Sequence, residues 1–209
     1  MSEENRKNNP PKSESIMDSN EDGEKRPPII KVVIAGKGGI GKTTLCKTAT
    51  SKINDPINFE EYKLTIGVQF FTLPCQTSAG WVSLSIWDLA GQEQFEIILN
   101  HFLRGTRGII LAYDSTSMDS YMSLHQTWIP LITKNCNNGI PILMVSMKND
   151  LPDSREVDPD LVQEFLEDEK DFNFIGFLEV SSKAHLNVEK PFDLLAEKIV
   201  QKEVLLKSS

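Results

Sequence analysis

A glycine-rich turn directly after a short apolar run is the feature that most constrains what this chain can fold into. The run "IIKVVIA" is rich in β-branched residues, which is typical of a buried strand. The turn that follows reads "GKGGIGKT", from Gly36 to Thr43, and the next residues predict a helix over Thr43–Ser51. A strand, a turn of the form Gly-x-x-x-x-Gly-Lys-Thr and a helix together predict a loop that binds the phosphates of a nucleoside triphosphate.

Each residue type in this loop has a physical role in holding phosphate. Successive backbone N–H groups form an anion-binding concavity, and the start of the helix adds positive potential. Glycines let the backbone approach the phosphate oxygens closely. Lys42 supplies a charge to the terminal phosphates, and the hydroxyl of Thr43 is a candidate ligand for Mg²⁺. The loop alone identifies neither the base nor the reaction.

The rest of the chain alternates apolar runs with amphipathic stretches, which indicates an α/β fold. Strands are predicted at residues 29–36, 67–75, 81–89, 108–115, 140–148 and 174–182. Helices are predicted over Thr43–Ser51, Gln92–Leu103, Ser120–Asn135, Pro159–Glu169 and Val188–Leu205. Because "SAG" at residues 78–80 predicts a hairpin turn, we expect a six-stranded, mostly parallel sheet with one antiparallel edge strand and helices on both faces.

The first 28 residues differ in composition from the remainder. Their apolar residues are Met1, Ile16 and Met17, so the segment cannot bury enough surface to offset its conformational entropy. We therefore predict a disordered tail over residues 1–28. Residues 29–206 are predicted to form a single domain.

Charge and chain ends limit the surfaces that the protein is expected to bind. The net charge of −8 disfavours nucleic acid and anionic lipid. No run approaches the ~20 apolar residues of a membrane-spanning helix, and no signal peptide is predicted. We expect no direct lipid anchor, because a serine follows Met1 and the ending "VLLKSS" lacks cysteine. The three cysteines have no paired or metal-like spacing, so we predict mostly buried thiols in the reducing cytoplasm.

Two stretches, one just before the second predicted strand and one at the end of the third, suit chemistry at the terminal phosphate. Thr65 lies just before "GVQFF", and "WDLAGQEQF" carries Asp88, Gly91 and Gln92. Asp88 can hold Mg²⁺ through water, and the N–H of Gly91 can reach the γ-phosphate. The amide of Gln92 can orient an attacking water molecule.

Two further stretches follow the last two predicted strands and suit a guanine base. "MVSMKNDL" carries Lys148 and Asp150, and "EVSSKAHL" carries residues 181–183. A carboxylate at Asp150 can accept hydrogen bonds from N1–H and the exocyclic amine of guanine, a donor pair that adenine lacks. The backbone N–H of Ser182 can donate to the guanine O6.

With these motifs in this order, the chain from about Lys31 to Lys202 resembles the small GTPases of the Ras superfamily. The stretches "TIGVQF", "WDLAGQEQF" and "RGTRGIILAYDST" are most similar to the Rab branch. The resemblance implies a P-loop NTPase G domain and a switch that binds and slowly hydrolyses GTP. It further implies two switch loops that report the nucleotide state to effector proteins.

The resemblance assigns individual roles and partners. It implies that Gln92, Lys42 and Thr65 are catalytic, and that Thr43, Thr65 and Asp88 hold Mg²⁺. It implies that GTP or GDP is bound by Gly38, Gly39, Ile40, Gly41, Lys42, Thr43, Thr44, Thr65, Gly91, Lys148, Asp150, Ser181, Ser182 and Lys183. It also implies a GTPase-activating protein, an exchange factor and effectors as partners. We expect a cytoplasmic monomer, with recruitment to membranes through a partner.

One position departs from the family pattern. The base motif of the family reads Asn-Lys-x-Asp, whereas this chain has methionine at position 147. Methionine cannot make the hydrogen bonds of that Asn to the purine and to neighbouring loops. Loss of one buried polar anchor costs on the order of 1–3 kcal/mol, so we expect nucleotide affinity about 10- to 100-fold lower. The segment between Lys42 and Thr65 is a few residues longer than usual, and Phe59 is a candidate to pack on the base.

Two alternatives follow from single residues. Lys37 creates the doublet Lys-Gly-Gly-Ile-Gly-Lys-Thr, which resembles dimeric ATPases of the ParA/MinD type. Such an ATPase requires an Asp-rich metal motif soon after the first helix, where this chain has "FEEYKLTIGVQFF". Met147 suggests instead a scaffold that binds nucleotide with little or no turnover, although the presence of Thr65 and Gln92 argues against it.

Overall fold

A computed structural model describes residues 26–51, 67–91, 101–137 and 139–208. The strands are β1 (Ile29–Ala35), β2 (Val68–Thr77), β3 (Gly80–Leu89), β4 (Gly108–Asp114), β5 (Ile142–Met147) and β6 (Phe174–Glu179). They form one sheet in the order β2-β3-β1-β4-β5-β6. The pair β2 and β3 is antiparallel and every other neighbouring pair is parallel. This confirms the predicted mixed sheet and its hairpin, whose turn consists of Ser78 and Ala79.

The helices lie between the strands as predicted. They are α1 (Lys42–Thr50), α2 (Met118–Ser123), α3 (Ile129–Asn135), α4 (Pro159–Asp168) and α5 (Lys190–Ser208). A π-helical turn, Leu124–Trp128, joins α2 to α3. It precedes Pro130, which has no N–H to donate and which crowds the carbonyl four residues earlier, so the wider turn accommodates the ring. The helix predicted over Gln92–Leu103 lies largely outside the described residues.

Helices cover both faces of the sheet, which explains why the central strands read as continuous apolar runs. One buried cluster joins the sheet to α1 and α5 through Leu45, Phe192 and Leu195. The other joins it to the helices on the opposite face through Leu124 and Val162. Burial of one such side chain contributes about 1.5–3 kcal/mol, so the two layers hold the strand order in place.

The sheet brings distant loops to one edge. The carboxyl ends of parallel strands meet at the same edge, and in open α/β sheets ligands bind there. The loops after β1, β3, β4, β5 and β6 therefore converge, although they are up to about 150 residues apart in sequence.

Among the cysteines, Cys46 and Cys75 are buried as predicted and Cys136 is half-buried. Of the predicted disordered tail, residues 1–25 lie outside the described part of the chain.

Candidate functional site

The phosphate loop leaves β1 through a glycine that no other residue can replace without strain. Gly36 has φ 142°, and a Cβ at this position would lie 2.1 Å from the carbonyl oxygen of Ala112 on β4. The loop ends at Gly41, which has φ 104° in the left-handed region and serves as the N-cap of α1. The two glycines therefore allow the loop to turn tightly between the sheet and the helix.

The first turn of α1 is arranged to receive an anion. Gly41 provides no side-chain capping bond, and the first turn contains no acidic residue. The N–H groups of a helix start are thus not satisfied by a cap, and they carry a partial positive charge. A phosphate group is the ligand that such a turn binds when a glycine-rich loop precedes it.

Lys42 is held under the loop rather than extended into solvent. Only 5 % of the residue is exposed, and its ammonium group donates to the carbonyl oxygens of Gly36 (2.8 Å) and Lys37 (2.9 Å). Burial lowers the pKa of Lys42 to about 8, while the nearby carboxylate of Asp88 acts in the opposite direction. Among the described residues, the groups that accept hydrogen bonds from this ammonium are two neutral carbonyls, and Asp88 acts on it through its charge. A phosphate oxygen would supply a negatively charged acceptor.

Asp88 and Thr43 lie side by side below the loop. The Thr43 hydroxyl donates to one carboxylate oxygen of Asp88, which is completely buried at the end of β3. Burial raises the pKa of Asp88, and the Thr43 bond and Lys42 counteract that shift. Within the described residues, its other oxygen, Oδ1, has no hydrogen-bond partner. A buried carboxylate oxygen without a partner beside a hydroxyl fits a hard cation, which prefers oxygen ligands.

The loop after β3 is in direct contact with the phosphate loop. The N–H of Gly38 donates to the carbonyl oxygen of Gly91 over 2.9 Å. A Cβ at Gly91 would lie 2.2 Å from the nitrogen of Gly38, so only glycine permits this approach. Two residues predicted to contact the phosphates are therefore neighbours, although 53 positions separate them in the chain.

Lys148 and Asp150 lie in the loop after β5, as predicted. Lys148 adopts φ 59°, an uncommon conformation for a residue with a Cβ, and such strain concentrates at functional sites. Its ammonium group forms an ion pair with Asp114 at the end of β4, with 2.5 Å between Nζ and Oδ2. The Asp114 carboxylate also accepts from the N–H and hydroxyl of Thr116. These contacts hold Lys148 at the edge of the sheet.

The loop after β6 supports Asp150. The hydroxyl of Ser181 donates to Oδ1 of Asp150 over 2.6 Å, and the same hydroxyl accepts from the N–H of Ala184. Ser181 is buried, Ser182 is half-buried and Lys183 is exposed. The structure therefore brings the five residues predicted for the base into two adjacent loops, and Ser181 serves to orient the carboxylate of Asp150.

Met147 is part of the core. It is 2 % exposed and belongs to the same buried cluster as α1 and α5. Its Cε lies 3.6 Å from where a Cβ on Gly41 would stand, so the thioether packs directly under the phosphate loop. The side chain thus makes an apolar contact where the family has a polar one.

Three polar residues that support the loop after β5, which we call the base loop, were not predicted from the sequence: Asp114, Asn149 and Arg155. Asp114 could have been found, because it ends a predicted strand at the same edge as Lys148. The other two show no sequence signal, because each also binds the end of β6, which is distant in sequence: Asn149 through the carbonyl of Val180 and Arg155 through Glu179. Lys37, which the ATPase alternative rests on, is partly exposed and forms an ion pair with Asp119 of α2. Thr65, Gln92 and Phe59 lie outside the described residues.

Comparison with known proteins decides the family. Residues 31–201 match the model of the Ras family. The chain belongs to the Ras family. This GTPase is 34 % identical over 174 residues to GTP-binding protein ypt1 of Schizosaccharomyces pombe, covering 83 % of this chain and 81 % of that protein. It is 33 % identical to Ras-related protein Rab-1 of Theileria parva, covering 83 % and 76 % respectively. It is also 34 % identical to GTP-binding protein YPTM1 of Zea mays, covering 78 % and 74 %.

Membership confirms the prediction of a Rab-like switch that binds and hydrolyses GTP. Neither the ParA/MinD-like ATPase nor the scaffold without turnover is favoured by these relatives. In the described part of this GTPase, no helix has the length and apolar character that crossing a bilayer requires.

Proposed function

We propose that the residues gathered at this sheet edge bind GTP as its magnesium complex. The observation that carries the proposal is the buried group of Lys42, Asp88 and Thr43. Its ammonium is bound to two neutral carbonyls, and one carboxylate oxygen has no protein partner among the described residues. Thr43 and Asp88 would hold Mg²⁺, joined by Thr65. When bound, the ion neutralises negative charge on the phosphates.

Base recognition is proposed for the loops after β5 and β6. The carboxylate of Asp150, oriented by Ser181, accepts from the N1–H and exocyclic amine of guanine, and the Ser182 N–H donates to O6. The ion pair with Asp114 holds the stem of Lys148 alongside the base. Selectivity for guanine then rests on a donor pair that adenine does not have.

For hydrolysis we propose that Gln92 orients the attacking water while Lys42 stabilises charge on the transferred phosphoryl group. Glycine at position 38 leaves room for the Gln92 amide and for an arginine from an activating protein. Gly38 and Gly91, both proposed to contact the phosphates, are bonded to each other, so we propose that GTP separates these loops and that hydrolysis lets them close.

Substitution of Gln92 by leucine tests this assignment. In the Gln92→Leu variant we expect single-turnover hydrolysis of GTP to slow about 10-fold or more, because water loses its orienting group. GTP affinity should stay within about 2-fold, since the amide is not proposed to hold the ground-state nucleotide. Gln163→Leu on the exposed face of α4 is the matched control. Unchanged phosphate release in Gln92→Leu would remove Gln92 from the mechanism.

An exposed aromatic surface on β2 and β3, the two strands between Thr65 and Gly91 in the chain, is the proposed effector contact. Phe70 on β2 is 61 % exposed and packs edge-on against Trp87 on β3, with ring centroids 4.8 Å apart. Trp87 in turn contacts Phe102 and lies under the ammonium of Lys31, which is 3.6 Å from the ring centroid. Exposed aromatic residues are enriched at protein interfaces, and β2 begins three residues after Thr65.

Substitution of Phe70 by alanine tests the effector surface. Loaded with a non-hydrolysable GTP analogue, the wild-type protein should capture partners from a lysate that the GDP form does not. In Phe70→Ala we expect this nucleotide-dependent capture to fall about 10-fold or more, with nucleotide affinity unchanged. Trp81→Ala is the control, since Trp81 is similarly exposed but lies at the hairpin end of β3. Equal capture by Phe70→Ala and wild type would contradict the assignment.

The resemblance to the Rab branch supports a role in membrane traffic. We propose that an activating protein and an exchange factor control the switch. A partner protein would bring it to a membrane surface.

A further inference from the structure

A hydrogen-bonded bridge spans the ends of β5 and β6 beneath the base loop. It is made by the side chain of Asn149, the residue between Lys148 and Asp150. Its amide nitrogen, Nδ2, donates to the carbonyl oxygens of Ser146 (2.7 Å) and Val180 (3.2 Å). The backbone N–H of Asn149 also donates to Val180, over 3.1 Å. One residue thus connects the loop after β5 to the carboxyl ends of both strands.

The orientation of this amide is set from its other side. Its oxygen, Oδ1, accepts from Nη2 of Arg155 over 2.9 Å, so the nitrogen must face the two carbonyls. Arg155 is itself paired with Glu179 of β6, with 2.7 Å between Nη1 and Oε1. The guanidinium therefore holds the side chain of Asn149 through a hydrogen bond and β6 through the ion pair with Glu179.

The bridge lies directly below the groups proposed to hold the base. Lys148 and Asp150 are the neighbours of Asn149 in the chain, and Val180 precedes the serine whose hydroxyl orients the Asp150 carboxylate. Movement of Asn149 would therefore displace a cation and an anion together. The side chain of Met147 packs under the phosphate loop and offers no hydrogen bond between these loops, although its backbone carbonyl oxygen accepts from the N–H of Ser115 over 3.0 Å.

We propose that Asn149 is the positioning residue of the guanine site in this GTPase, because it bonds the loop that carries Lys148 and Asp150 to the ends of β5 and β6. This inference rests on the proposed reading of the base by Asp150. It bears on the expectation built on Met147, because the same motif holds a second polar side chain, two residues later, that fixes the loop. With that support, Met147 is expected to weaken nucleotide binding less than the loss of a whole polar anchor would.

The test compares release of GDP and IDP, whose base lacks the exocyclic amine, from the full chain. Each nucleotide is bound to the protein as a fluorescent derivative and is then displaced by excess GTP. From wild type we expect IDP to leave about 10-fold faster than GDP, since one bond to Asp150 is missing. In Asn149→Ala we expect GDP release to accelerate about 10-fold and the ratio between the two nucleotides to fall to about 2-fold. A merely structural role would leave this ratio unchanged.

Two further variants make the result specific. Asn149→Asp keeps the shape and the acceptor for Arg155 but loses both donors, so it should fold and still release GDP as fast as Asn149→Ala. Asn173→Ala removes a comparable bond, to the carbonyl of Gly139 (2.9 Å), far from the site, and should change nothing.

Two outcomes would overturn the inference in different ways. If wild type distinguishes IDP from GDP and both Asn149 variants preserve the wild-type ratio, Asn149 does not position the base site. If wild type releases both nucleotides at the same rate, base reading by Asp150 itself is wrong, and the role of Asn149 fails with it.

Discussion

A Lys42→Met variant is expected to bind GTP and GDP about 100-fold more weakly than wild type or worse. The ammonium is buried beneath the phosphate loop, where two carbonyls orient it and no bulk water screens it. A charge-assisted bond to phosphate in such a setting is worth about 3 kcal/mol, which corresponds to about 100-fold in affinity. Calorimetric titration of the nucleotide-free protein measures the change directly.

The same substitution should also lower the thermal midpoint of the nucleotide-free protein. Burial lowers the pKa of Lys42 to about 8, so desolvation works against the charge. Methionine, however, leaves the carbonyl oxygens of Gly36 and Lys37 without this donor and the buried carboxylate of Asp88 without a nearby cation, so affinity is measured well below the midpoint of the variant. Lys47→Met, at an exposed position on α1, is the control. Nucleotide affinity retained in Lys42→Met, or lost equally in Lys47→Met, would contradict the assigned role.

A Gly36→Ala variant is expected to lose about 3 kcal/mol or more of folding free energy. A Cβ would lie 2.1 Å from the carbonyl oxygen of Ala112, and the backbone has φ 142°. Because the obstructing atom belongs to a central strand, no side chain can rotate away to make room, so β1 and β4 must separate. Urea denaturation of the nucleotide-free protein measures the loss.

Gly105→Ala provides the comparison for that loss. Gly105 also has a positive φ, 73°, but a Cβ there would meet nothing within 4 Å. The expected cost is about 1 kcal/mol, from backbone conformation alone. Equal destabilisation by the two substitutions would show that contact with Ala112 is not the reason Gly36 is required.

Much of the fold could be predicted from the chain because its signals are local. The strands are short, β-branched and bounded by turn residues, and each predicted boundary lies within a few residues of the observed one. The π-helical turn before Pro130 was not predicted, since hydrophobic periodicity does not distinguish it from a continuous helix. The phosphate loop could also be predicted from the sequence, because its function depends on consecutive backbone groups.

Contacts between loops could not be predicted in the same way. The pairing of Asp114 with Lys148, and of Gly38 with Gly91, joins residues that only the strand order makes neighbours. Nothing in the motif "MKND" indicates that Asn149 bonds to two strand ends, because its partners are backbone carbonyls that every residue carries. The roles of Thr65 and Gln92 remain predictions from sequence.

By itself, the sequence determined the strand and helix order, the phosphate loop with Lys42, and the family to which the chain belongs. These features depend on residue type and spacing along the chain. Tertiary structure alone decided how the loops support one another: which carboxylate holds Lys148, how close Gly91 lies to the phosphate loop, and which strand ends Asn149 bonds to. The physical reason is that such contacts depend on the register and order of strands, which place residues far apart in sequence within a few ångströms of each other.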